Sequence, residues 1–203
     1  MSIYCTSADS VFNEAADTPL NTAPCGGFTS IELMVTLTVA LILVGVAVPA
    51  FSHMTAQNRL ATTANDFVSA FAMARQSAVQ LGAPVTLCAG DSSGCFAAVD
   101  WSRGWVAFAD RDRDGSLDAN ERVLYTGIAR RNDVHVEGNG PMQKPVIFTP
   151  MGFALQPSGA FTAGTLRVCV AAPIANNARN LVLSKVGRLR VERADYDGNC
   201  PTL

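Results

Sequence analysis

The sequence predicts an α+β fold: one long N-terminal helix, its first half transmembrane, packed on an antiparallel β-sheet head. Three observations carry this. Residues 28–51 form an apolar run with a single charge, Glu32. Apolar residues then recur at helical spacing as far as Leu81. Beyond Pro84, short β-rich runs alternate with turn residues. A helix followed by a series of strands is the order expected of an α+β domain.

The apolar run reads FTSIELMVTLTVALILVGVAVPAF, 24 residues. About 20 apolar helical residues cross a hydrocarbon core, so the run is long enough. It also exceeds the roughly 7–15 apolar residues of a secretory signal. Residues 1–27 carry Asp9, Glu14 and Asp17 and no Lys or Arg, so basic residues do not orient the segment. Glu32 is the anomaly. A carboxylate inside a bilayer costs about 2.5–3.5 kcal/mol and usually has a partner.

After the run, Leu60, Ala64, Phe67, Phe71, Ala74, Ala78 and Leu81 step by three and four, a stripe that should be buried against a sheet. Gly82 and Pro84 end the helix. Strands are expected over 85–88, 105–109, 122–125, 134–136, 146–148, 165–171, 180–186 and 188–193, where β-formers lie between turn residues.

Composition narrows the function. Hydrophobic residues make up 49% and charged residues 16%, which excludes general disorder. The net charge of −2 does not suggest a nucleic-acid partner for the chain as a whole. The two histidines, His53 and His135, nearly exclude a histidine-based catalytic pair or a histidine-rich metal site.

Gly27-Phe28-Thr29-Ser30-Ile31-Glu32 resembles the type III signal of type IV pilin-like proteins. The resemblance implies that a prepilin peptidase cuts between Gly27 and Phe28 and methylates Phe28. It gives Glu32 a role in assembly, pairing with a subunit's N-terminal amine, and sets Pro49 where many pilins have a helix-kinking proline. The implied domains are a leader (1–27), a transmembrane and filament-core helix (28–51), and an amphipathic helix with a β-rich head (52–203). In the head, Gly104–Phe108, Val146–Gly152, Leu166–Cys169 and Leu181–Arg190 resemble, in that order, the GspH/FimT group of minor pseudopilins and minor pilins. Membership implies a single-pass protein of the bacterial inner membrane, its head in the periplasm or at a filament tip. The implied partners are other pilin subunits, the prepilin peptidase and the membrane. The implied work is filament assembly, in secretion or in a pilus. No catalytic residue and no required cofactor follow from it.

Cys5 and Cys25 precede the cleavage point, leaving Cys88, Cys95, Cys169 and Cys200. An even number in a head outside the cytoplasm suggests disulfides, with three connectivities open. Cys88–Cys95 with Cys169–Cys200 is preferred: the first closes a small polar loop and the second ties the C-terminus to a strand. A four-cysteine metal site is disfavoured, because no Cys-x-x-Cys pair is present.

Two charged segments remain. Asp110 to Glu121 matches D-x-D-x-D-G-x5-E, the spacing of a calcium loop. Asp110, Asp112, Asp114, Ser116, Asp118 and Glu121 would supply the oxygens that Ca²⁺ requires. The competing reading is a turn whose carboxylates cap backbone amides, because strands rather than helices flank it. Lys185, Arg188 and Arg190 surround Gly187. Two arginines two apart on a strand share a face and suit successive phosphates. The resemblance associates Gly187-Arg188-Leu189-Arg190 with DNA capture in the FimT branch, an alternative to a purely structural role. An enzyme is disfavoured: no nucleophile–base–orienter set is present, and no histidine or phosphate loop accompanies the aspartates.

Overall fold

A computed structural model describes residues 27–128 and 133–203, with side chains for all of these but Pro49. The proposed leader, 1–26, and its Cys5 and Cys25 lie outside the described residues. The helix α1 runs from Ser30 to Leu81. The chain divides into two units at Val48 and Pro49. In the first unit every described residue from Gly27 to Val48 is exposed. Its most apolar window has a mean hydropathy of 2.5, so by length and composition the helix can cross a membrane.

In the second unit, residues 49–81 continue α1 and the rest builds two antiparallel sheets. The strands are β1 (Val85–Asp91), β2 (Gly94–Cys95), β3 (Trp105–Ala109), β4 (Val123–Gly127), β5 (Val134–Gly138), β6 (Val146–Phe148), β7 (Ala154–Leu155), β8 (Gly164–Val170), β9 (Ala178–Leu183) and β10 (Leu189–Ala194). One sheet has the order β4-β3-β1-β6-β7, with β2 on β1. The other has the order β10-β9-β8-β5. The sequence predicts all but β2 and β7, which are two-residue strands too short to show a period. It also predicts one sheet where there are two. The reason is pairing at a distance: β5 joins β8, not a neighbour in sequence.

The predicted stripe of α1 is buried from Leu60 through Ala78, joined by Ala70. Leu81 keeps the phase but is half-exposed, being the last helical residue before Gly82 reverses the backbone at φ 60°. Trp101 locks the helix to the sheets. Its indole donates to the Met142 carbonyl at 2.9 Å, and its ring lies 6.0 Å from Phe67 and 6.2 Å from Phe71. A buried indole needs such an acceptor. One face of β1 and β3 joins this core through Val85, Leu87, Ala89, Trp105 and Ala107. The opposite face has its own small core of Cys88, Val106 and Phe108, against Cys95, Leu117 and Val123.

The preferred disulfides are both present: Cys88–Cys95 and Cys169–Cys200, with Cα atoms 5.7 and 5.8 Å apart. The second lays the C-terminal tail across β8. Arg167 donates to the Pro201 carbonyl at 2.9 Å and stacks 4.4 Å from the Tyr196 ring. The buried Asn177 donates to Asn199 O at 2.8 Å and accepts the Tyr196 amide at 2.8 Å.

Candidate functional site

Thr29 stands just before α1 as its N-cap. Its hydroxyl accepts the Glu32 amide at 3.2 Å, and the Glu32 carboxylate accepts the Thr29 amide at a long 3.5 Å. This is the reciprocal Thr-x-x-Glu cap, legible in the sequence but absent from the reading above. Glu32 is therefore placed in the first helical turn, where the helix dipole favours a negative charge. From Phe28 to Val48 the residues are exposed and mostly apolar, with Glu32 among them.

The acidic segment connects β3 to β4. Asp110 is fully buried. One carboxylate oxygen accepts the Arg113 amide at 2.7 Å; the other accepts the Thr86 hydroxyl at 2.6 Å and the Gly115 amide at 3.1 Å. Burial pushes its pKa above the ordinary carboxylate value, against the downward pull of those donors. Asp114 accepts the Ser116 amide at 2.7 Å. Asp112 accepts the Asp114 amide at 3.4 Å. Glu121 reaches back across the loop, accepting Arg111 N at 2.8 Å and Asp118 N at 3.2 Å. Oxygens of Asp110, Asp112 and Asp114 lie within 4.8 Å of one another, and Asp118 and Glu121 stand outside that group. Ser116 and Asp118 are exposed. What the arrangement does as it stands is close a corner by capping amides. Leu117 then covers the small core behind it.

The basic segment is the turn between β9 and β10. Gly187 N donates to Ser184 O at 2.8 Å, and Ser184 N donates to Arg188 O at 2.9 Å. Gly187 has φ 71°, and a Cβ there would lie 2.2 Å from Gly152 O, so only glycine fits. Lys185, Arg188 and Arg190 are all exposed. Arg188 stands in the turn, one residue before the strand expected to hold it, because the turn takes Ser184–Gly187. It lines a 490 Å³ groove with Arg75, Gln76, Val68, Ala72 and Val79 of α1. Arg190 lies within β10 and pairs with Glu192 at 2.6 Å. Exposed pairs of this kind are worth about 0–1 kcal/mol.

The comparisons agree with this architecture. The family model "Type II transport protein GspH" matches residues 63–187, more than half of the chain. The type IV minor pilin FimU of Pseudomonas aeruginosa (strain PAO1), in its P21 crystal form, has a similar fold. It is 20% identical, with 68% of this chain and 92% of that one covered and a TM-score of 0.50. The P65 form of FimU gives 19% identity over 66% and 92%, with a TM-score of 0.46. No curated protein matches. With a pilin-like fold and a family match over most of the head, the chain belongs to the GspH family.

Proposed function

We propose that this minor pilin or pseudopilin is cut between Gly27 and Phe28, stored in the inner membrane through residues 28–51, and assembled into a filament, either a secretion pseudopilus or a type IV pilus. The carrying observation is that every residue of α1 from Ser30 to Val48 is exposed and that most of them are apolar. Exposed apolar surface of that extent calls for a lipid or protein partner. Glu32 supplies assembly chemistry. In an apolar surround its carboxylate needs a cation, and a neighbouring subunit's amine at Phe28 is one. The role is structural rather than enzymatic. Mass spectrometry of membrane-extracted protein tests processing: N-methylated Phe28 is expected, and an intact leader would end the reading. Glu32→Val should leave the protein in the membrane and deplete it from sheared filament fractions.

A second reading is DNA capture by Lys185, Arg188 and Arg190, favoured by the exposure of all three. It predicts retardation of duplex DNA that weakens steeply with salt, and loss of retardation in Arg188→Ala.

A further inference from the structure

The turn that holds Arg188 packs against β7, and the two gather exposed cations around an exposed ring. Ala154 ties them together. Its amide donates to Lys185 O at 3.1 Å, and its carbonyl accepts the Thr162 amide at 2.9 Å. Phe161 and the Lys185–Val186 pair therefore flank a single residue of β7. Phe161 is 60% exposed, its ring at 72° to that of Phe153 with centroids 5.8 Å apart. Met151 and Val186 are exposed as well.

Arg75 reaches the same turns from α1. Its Nε–H donates to the Gly152 carbonyl at 3.1 Å. Its side chain lies against both Gly152 and Gly187, where a Cβ on either would come within 3.0 Å of Arg75 Nε. The two glycines thus make a bed for the guanidinium, whose terminal nitrogens remain as donors. Among the described residues Arg75, Lys185 and Arg188 form no ion pair, whereas Arg190 is engaged by Glu192. The sequence explains the lack of counter-charge. No Asp or Glu occurs from Phe67 to Gly90 or from Gly138 to Val191, in a chain with 17 acidic residues. These two stretches supply every residue of the patch. The acidic corner reaches the hairpin at its turn, where a Cβ on Gly115 would lie 2.8 Å from Pro157, and bounds the patch on that side.

Unpaired cations around an exposed ring suit a single strand of nucleic acid: the cations follow the phosphates and the ring takes an unstacked base. A duplex keeps its bases stacked and would leave the ring unused. A lipid surface is out of reach, because Arg75 lies about 36 Å along α1 past Phe51, the end of the apolar run. We propose that Phe161, Arg75, Lys185 and Arg188 bind a single-stranded polynucleotide. Phe161 stacks on a base, and Arg75 and Arg188 hold phosphates beside it. This rests on the DNA reading above and narrows it to single strands, with Phe161 and Arg75 added to the site.

The test uses the full chain in detergent micelles. The probes are a labelled oligothymidine about 16 nucleotides long, the upper end of common site sizes, and its duplex with oligoadenine. The single strand is expected to bind more tightly. Phe161→Leu keeps an apolar side chain and removes the ring. It should weaken single-strand binding about tenfold, and Phe161→Trp should restore it. Arg75→Gln should weaken binding too and lower the slope of log affinity against log salt by about 0.7. Both disulfides and the melting temperature report the fold; if Phe161→Leu unfolds, Phe161→Trp and Arg75→Gln decide. Unchanged single-strand binding in Phe161→Leu overturns the proposal, and retention of the duplex then leaves the DNA reading standing. Binding of neither probe overturns both. Displacement of the oligonucleotide by an equal charge of polyglutamate also overturns the proposal and assigns the cations to the carboxylates of a protein partner.

Discussion

The corner at Asp110–Glu121 and the turn at Ser184–Arg190 carry opposite charges and opposite designs. In the acidic corner the side chains do the holding: Asp110, Asp114 and Glu121 accept amides from their own loop. A disulfide and a small apolar core back it. In the basic turn the backbone does the holding, through Gly187 and the Ser184–Arg188 bonds, and the cations project outward. A cluster of like charges in a sequence is thus no measure of free charge on the surface. What matters is whether nearby amides take the side chains up. Carboxylates can accept those amides, whereas Lys and Arg, having only donors, cannot.

The largest expected effect probes the backbone-held turn. Gly187→Ala should destabilise the fold by about 3 kcal/mol, combining a left-handed backbone with a contact that has no room. Urea unfolding measures it, and a change below about 1 kcal/mol would mean that the turn relaxes freely. Replacing Cys88 and Cys95 together by Ser should cost about 2.5 kcal/mol, the chain-entropy figure for so short a ring. The same experiment reads whether the acidic corner depends on its staple.

Asp110→Ala should come next, at about 1–3 kcal/mol, because Thr86 and two amides lose their acceptor. The pH dependence has a definite sign. With its folded pKa raised, Asp110 contributes stability that is complete below the unfolded carboxylate value and is lost as pH rises through the folded value. Asp110→Asn should flatten that part of the stability profile and leave the remainder intact. The smallest effects belong to the outward cations. Lys185→Ala and Arg188→Ala should each stay within about 0.5 kcal/mol. Millimolar Ca²⁺ against chelator should also leave the melting temperature unchanged, since loop amides already engage the carboxylates. A rise abolished by Asp112→Ala would instead make the three clustered aspartates an ion site.

The elements legible in the sequence were those with a helical period or a run of β-formers. The stripe from Leu60 to Ala78 follows from spacing alone, and the strands at Trp105–Ala109 and Val146–Phe148 from runs of β-formers between turn residues. The disulfide partners were legible because each bond closes a loop with an evident purpose. The division into two sheets was not, because nothing local says that Val134–Gly138 pairs with a strand some thirty residues on. Trp101 was missed for a related reason: it lies outside any strand, and only the folded chain brings Phe67, Phe71 and Met142 to it. At the acidic corner the residues were identified and their partners were not. Whether Asp110 faces an ion or Thr86 depends on burial, which a motif does not encode.

The two disulfides also set an order of events. Cys88 and Cys95 are brought together by β1 and β2 alone, so their ring closes as soon as that hairpin forms. Cys169 must wait for Cys200, which follows β10, the last strand. A chain delivered N-terminus first to an oxidising compartment reaches that second bond only after the ten strands of the described residues have arrived. The Cys169–Cys200 linkage is therefore a chemical timestamp. A head that carries it has been delivered whole, and a head with only the early bond has been caught part-way.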